Sequence, residues 1–284
     1  MVYEENILQS FTRFYEKETL EEDIATFKTL LEECLFNVQV ELGVELNNNL
    51  KIDVIGSLVN NSNVGLSEPV DFLIQFSNPI VANSDQTYVK TRFKKQRNKI
   101  VGSQLIKEYL ASFIKSELSS VSEVYISDKY IYVESLHELG KNYRIYLMLK
   151  DDKTDKLTAV NSITNLLFDF EPNSYNTIIS EKVKSTDYNF IAITNIIKTI
   201  ALNNNLNIES YTLECLMQNI PNDLYKGTLQ EQLLKCFNYL KISNKLAYKG
   251  FAKDKSIFQD TFLNIDMFQI NMFLNKLSNI LKND

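Results

Sequence analysis

A chain of 284 residues that is 44% hydrophobic can bury a large core, and seven glycines and four prolines leave little room for flexible linkers, so a disordered protein is excluded. The formal net charge of −6 excludes a globally basic nucleic-acid or anionic-membrane binder, so any polyanion site must be local. No apolar run approaches the ~20 residues needed to cross a bilayer, and no membrane role is expected.

In chain order, residues 1 to 18 carry Ile7, Leu8, Phe11 and Phe14 and predict a short helix. Thr19 to Leu42 reads as an amphipathic helix with Phe27, Leu31, Cys34, Val38 and Leu42 at helical spacing, opened by a capping box from Thr19 to Glu22. The alternation Lys51 to Ile55 and the β-rich run Val70 to Phe76 predict two strands, and Gly56-Ser57 stands where the first must end. A glycine there lets backbone N–H groups approach a ligand, and the Ser57 hydroxyl adds a donor. Together they can hold phosphate oxygens; a plain turn is the simpler reading of the pair.

A long helix follows. It starts in Lys90 to Lys99, which places six positive charges in ten residues. Arg92, Lys94, Lys95 and Arg97 are the candidates for contact with RNA or phosphate, against the alternative of a solvated helix face. Positive charge at a helix N-terminus opposes the helix dipole, which favours a functional reason for the cluster. The helix continues through Val101, Leu105, Tyr109, Ile114 and Leu118 as one stripe, and strands are predicted near Glu123 to Glu134 and over Tyr143 to Leu149. His137 is the single histidine; it excludes a His-rich zinc site and argues against a Ser-His-Asp hydrolase.

Past Asp151 the pattern turns helical. Asp187 is expected to cap the helix bearing Lys198, Ser210 to cap the next, and Pro221 to break it; Thr228 and Glu231 form a further capping box. A last helix from about Asp266 places Phe273, Leu277, Ile280 and Leu281 on one side. Three cysteines, Cys34, Cys215 and Cys236, without Cys-x-x-Cys spacing or a signal peptide, lead us to expect a cytoplasmic protein with reduced core thiols.

The order strand, Gly-Ser turn, acidic strand, long helix, strands and helices resembles the polymerase-β-type nucleotidyltransferase superfamily. The likeness is to its branch of poly(A) polymerases, oligoadenylate synthases and bacterial cyclic-oligonucleotide synthases, and it covers about residues 20 to 240. Carried over by position, Gly56 and Ser57 match the phosphate turn, Asp71 the second acid of an Asp-x-Asp strand, Lys198 a triphosphate lysine, and Ser210 and Tyr211 a Ser-Tyr pair. The departures concern the metal ligands. Pro69 stands where the first acid should be, and Glu68 is the nearby substitute if the strand start bulges at Pro69. The strand Tyr143 to Leu149 offers Arg144, Tyr146 and Met148 on one face and no carboxylate on either. Glu134, Asp151 and Asp152 are the remaining candidates for a third ligand, and Arg144 would discourage a cation while welcoming a phosphate.

The resemblance implies an α+β fold: a small mixed-sheet nucleotidyltransferase-like domain over residues 1–155, then a helical-bundle domain over 156–284, with the N-terminal helices able to pack on the second half. It implies a nucleoside triphosphate as ligand, with RNA or a partner protein as other candidates. Two divalent ions need bridging carboxylates, and one Asp cannot hold both. The sequence therefore favours an inactive or weakly active relative that binds nucleotide, RNA or a protein. The alternative is an active, Mg2+- or Mn2+-dependent transferase using Asp71, Glu68 and a third carboxylate.

Overall fold

The computed structural model describes residues 3–13, 20–42, 50–64, 68–76, 92–118, 121–135, 141–150, 156–160, 167–206, 208–252, 255–263 and 265–283. The chain divides into two compact units. One comprises Lys17–Ile55 and Leu66–Phe170; the other comprises Met1–Glu16, Gly56–Gly65 and Glu171–Asp284. The helix α1 (Glu5–Phe11) belongs to the second unit.

The first unit is a seven-stranded mixed sheet with two helices. The helix α2 (Glu21–Leu42) precedes β1 (Lys51–Ile55) and β2 (Val70–Phe76), and α3 (Arg92–Glu117) follows them. Then come β3 (Val121–Ile126), β4 (Ile131–Ser135), β5 (Tyr143–Lys150), β6 (Leu157–Val160) and β7 (Leu167–Phe170). The main path runs β1-β2-β5-β4-β3, with β6 added on β5 and β7 on β6. The β2–β5 pair is parallel and all others are antiparallel.

Strand alternation gives the sheet two different faces. One carries Phe72 and Tyr143, on which α2 sets Phe27, its ring stacked 3.7 Å from Tyr143 and 5.3 Å from Phe72. Ile24, Leu31, Cys34, Leu35 and Val38 complete the buried stripe of α2. The other face carries Asp71, Leu73 and Gln75 beside Arg144, Tyr146 and Met148.

The second unit is helical after α1: α4 (Pro172–Ser185), α5 (Asn189–Asn203), α6 (Ser210–Gln218), α7 (Leu229–Ile242) and α8 (Met267–Asn283). The middle of its core is α5, buried at Phe190, Ile193, Ile196, Ile197 and Ile200. Caps fix the helix ends. The α7 N-terminus has the capping box Thr228/Glu231 and a second anchor from far away, because the Glu5 carboxylate accepts from the Leu229 and Gln230 amides at 2.8 and 3.1 Å. Asp266 and Gln269 form a reciprocal pair at the start of α8.

The predicted strands β1, β2, β4 and β5, the α2 stripe and the Thr228 box match the structure. Four expectations need correction. Beyond Asp151 the chain adds β6 and β7 to the sheet before it turns helical; each pairs antiparallel with the strand just before it, but at four residues each is too short for a periodic pattern to mark it. The buried stripe of α3 runs through Ile106, Leu110 and Ile114, while Leu105 is 39% exposed. Asp187 does not cap α5: it lies at φ 49 in a left-handed turn, and Thr186 Oγ1 accepts from the Phe190 amide instead. Ser210 is the first residue of α6, with extended Glu209 at the N-cap. Phe14, Thr19, His137, Asp151 and Asp152 lie outside the described residues.

Because Thr228 satisfies a backbone amide that water would otherwise serve, Thr228→Ala should lower unfolding free energy by about 1 kcal/mol in urea titration. Gly227 precedes it at φ +109, where a Cβ would also crowd Glu231, so Gly227→Ala should cost at least as much.

Candidate functional site

The acid of β2 and the arginine of β5 are register partners on a parallel strand pair, so their side chains leave the same face at the same level. Arg144 Nε donates to Asp71 Oδ1 at 2.5 Å, and Nη2 donates to Oδ2 at 2.8 Å. This is a bidentate fork, among the strongest of charge-assisted arrangements. Asp71 is 1% exposed and Arg144 6%. Both lie in largely buried runs, VDFLIQF and YRIYLMLK, and a buried charge there is tolerable only beside its opposite. The guanidinium carbon also sits 5.7 Å from the Tyr130 ring, and Tyr132 of β4 is the register partner of Arg144 on its other side.

Other carboxylates of this unit are placed differently. The β2–β5 ladder is continuous from Val70 to Phe76, and the Val70 amide bonds to Asn142 O, so no bulge turns Glu68 into the strand. Glu68 is buried, and the Lys141 ammonium donates to its carbonyl at 3.4 Å. Burial pushes Lys141 down to about 8, with Glu68 opposing that shift. Glu134 is exposed on β4 opposite Glu123. Asp53, which sequence reasoning missed, shares the Asp71 face one step along β1, and it accepts from Gln75 and pairs with Lys51, each at 2.8 Å. Among the described residues no three His, Cys, Asp or Glu side chains come together in a way that could hold a metal. Arg92, Lys94, Lys95 and Arg97 occupy the first turns of α3; their side chains lie outside the described residues.

The second unit gathers most of the other predicted residues. Gly56 takes φ 77, a left-handed conformation that glycine adopts without penalty, and it opens a 3-10 turn through Leu58. Ser57 is 2% exposed; its carbonyl accepts from the Ser62 amide at 2.8 Å, and its hydroxyl lies 3.5 Å from Asn63 Nδ2. Lys198 reaches the same loop from α5. Its ammonium donates to Ser62 O at 2.8 Å, Ser62 Oγ at 3.2 Å and Glu214 Oε1 at 3.0 Å. Three donors thus meet three acceptors.

Glu214 of α6 closes this network. Ser62 Oγ donates to its Oε1 at 2.5 Å, the Tyr175 hydroxyl donates to Oε2, and Asn60 Nδ2 donates to that hydroxyl at 2.6 Å. Burial, and then Glu214, push the Tyr175 phenol well up, so it stays a donor. Tyr211 is 2% exposed, with its ring centroid 4.9 Å from Tyr175 and 5.1 Å from Phe262. Ser210 precedes it at the start of the same helix. Sequence reading placed Lys198 at the edge of an apolar stripe; the structure buries it to 5% because Glu214, sixteen residues on, supplies the counter-charge. An acid in the apolar run YTLECLM was the available signal.

The two units are a mixed sheet with helices and a helical bundle that includes the Gly56-Ser57 turn. Residues 177–282 match the family model of the cGAS/DncV-like nucleotidyltransferase C-terminal helical domain. The chain is similar over 99% of its length to the Elizabethkingia meningoseptica CdnE cyclic dinucleotide synthase solved with GTP and Apcpp, with 16% identity, 99% of that chain covered and a TM-score of 0.67. It is similar to GTP-bound Vibrio cholerae DncV at 10% identity, covering 97% of this chain and 78% of that one, with a TM-score of 0.60. The CdnC of E. coli MS115-1, solved in complex with HORMA-deltaN, has 12% identity, coverage of 94% and 85%, and a TM-score of 0.57. No curated protein sequence matches the chain at a significant level. The part of the chain matching the cGAS/DncV-like helical-domain model is residues 177–282, and the fold of the whole chain is similar to those of CdnE and DncV, in line with the resemblance read from the sequence.

Removing one partner of a buried pair leaves the other charge uncompensated. Asp71→Ala should therefore destabilise the protein by about 3–5 kcal/mol in urea titration. The double variant Asp71→Ala/Arg144→Met should recover part of that loss, and additive losses would contradict the pairing.

Proposed function

We propose that this chain is a nucleotidyltransferase-fold protein that acts by binding and does not transfer nucleotides through a metal pair. The observation that carries this reading is the bidentate Arg144 fork on Asp71, which engages both carboxylate oxygens at 2.5 and 2.8 Å. A divalent ion needs carboxylate oxygens free to coordinate, and a pair of ions needs several bridging acids. The residues do not fit such a pair.

Lys198 supports the same reading from the other unit. A triphosphate lysine offers its charge to the incoming nucleotide, whereas this ammonium already faces Glu214 at 3.0 Å. A nucleoside triphosphate remains the ligand that the fold favours. The Gly56-Ser57 turn is the phosphate-binding element, Lys198 is released from Glu214 on binding, and Ser210 and Tyr211 flank it. RNA along Arg92 to Arg97, or a protein partner, are the other ligands, the second supported by the HORMA complex of the E. coli relative. Three cysteines, buried and unbridged, fit a reducing, cytoplasmic setting.

The second reading is an active cyclic-oligonucleotide or poly(A) polymerase-like transferase using Asp71 and Glu68, and the full-length likeness to a cyclic dinucleotide synthase favours it. Incubation with all four NTPs and Mg2+ or Mn2+ separates the two. We expect no product by chromatography, together with a rise in melting temperature on adding NTP that does not depend on metal. Product formation abolished by Asp71→Ala would establish the second reading instead.

A further inference from the structure

The helical unit contains a cavity of about 1030 Å3 whose lining does not include Gly56, Ser57, Lys198, Ser210 or Tyr211. Among the described residues three lysines, Lys182, Lys249 and Lys255, line it together with one glutamate, Glu181, while the Asp260 carboxylate lies buried behind Gly250. In a chain of net charge −6 this is a local excess of positive charge. Lys182 is its fixed element. It is 9% exposed, and its ammonium donates to Ile220 O and, at 2.6 Å, to Asn222 Oδ1, with the Tyr225 ring 5.1 Å away. These partners are neutral, so they satisfy hydrogen bonds without cancelling the charge. Burial lowers its pKa to about 8, with Cys236 and Asp223 opposing that shift.

The opposite wall is built to hold its shape. Lys249 O accepts from Gln218 Nε2 and Asn219 Nδ2, both at 2.9 Å. The loop that follows is drawn around the buried carboxylate of Asp260, which accepts from the amides of Phe251, Ala252, Phe262 and Leu263 at 2.9 to 3.4 Å. Gly250 lies so close that a Cβ there would meet Asp260 Oδ2 at 2.7 Å. A preformed wall lowers the ordering cost of binding.

We propose that this cavity is a ligand site that takes an organic phosphate of nucleotide size. Its volume suits such a ligand, since small-molecule pockets run to roughly 1,000 Å3. Separate ammonium groups around a wide hollow act as point charges and suit a tetrahedral, multiply charged group better than they suit a planar carboxylate. Ser185, Ser256 and Asn222 supply uncharged polar groups around the hollow.

The test is calorimetric titration of the full chain, without metal, using inorganic pyrophosphate and ADP as probes. Both should bind, more weakly as salt rises. Lys249→Glu/Lys255→Glu should weaken both by about tenfold or more, and the same charge reversal at exposed Lys276, outside the lining, should leave them unchanged. Lys249 is exposed and Lys255 partly so, and the milder Lys249→Gln/Lys255→Gln pair serves as a second variant if the melting curve of the first is altered. Absence of binding by the wild-type chain, unchanged affinity in the Lys249/Lys255 variants, or an equal loss in Lys276→Glu would each overturn the site.

Discussion

The fork between Arg144 and Asp71 is the constraint on which the reading of this protein turns. Two formal charges sit buried within the sheet, and each is tolerable only because the other is there. The geometry comes from strand register: a parallel pair with Asp71 opposite Arg144 aims both groups from one face, and the planar guanidinium matches the carboxylate edge to edge. An acid held this way has its lone pairs directed at N–H donors. It resembles a structural strut more than a metal ligand.

The helical unit repeats this logic. Lys198 would be the positive end of a phosphate site, but Glu214 opposes it, with Ser62 and Tyr175 sharing the same carboxylate. Through these bonds and that of Asn60 to Tyr175, the Gly56–Gly65 segment is bound to α4, α5 and α6 as part of that unit, although it follows directly on a strand of the other. Both groups that a transferase would present to substrate or metal are therefore matched by charges of the chain itself. Phosphate binding at the Gly56-Ser57 turn would require Lys198 to exchange Glu214 for phosphate, which sets a cost on affinity.

Much of this fold was legible in the sequence because its signals are local. Alternation marks β1, β-rich composition marks β2, the Phe27 to Val38 spacing marks α2, and Thr228 with Glu231 marks the α7 start. What escaped is either very short or depends on distant partners. The strands β6 and β7 are short and gain their identity from pairing with β5 and with each other. The Glu5 anchor of α7 joins residues more than two hundred apart in sequence. Arg144 was identified as a residue unfriendly to cations, but only register shows that it grips Asp71, and nothing near Lys198 in sequence names Glu214 as its counter-charge.

The most direct measurement is Mn2+ binding followed by electron paramagnetic resonance, in the presence of a non-hydrolysable NTP, on the wild-type chain and on Asp71→Asn. If Arg144 holds Asp71 as described, the two proteins give the same spectrum, with no bound Mn2+ that depends on residue 71. A tightly bound Mn2+ in the wild type that disappears in Asp71→Asn would contradict the account.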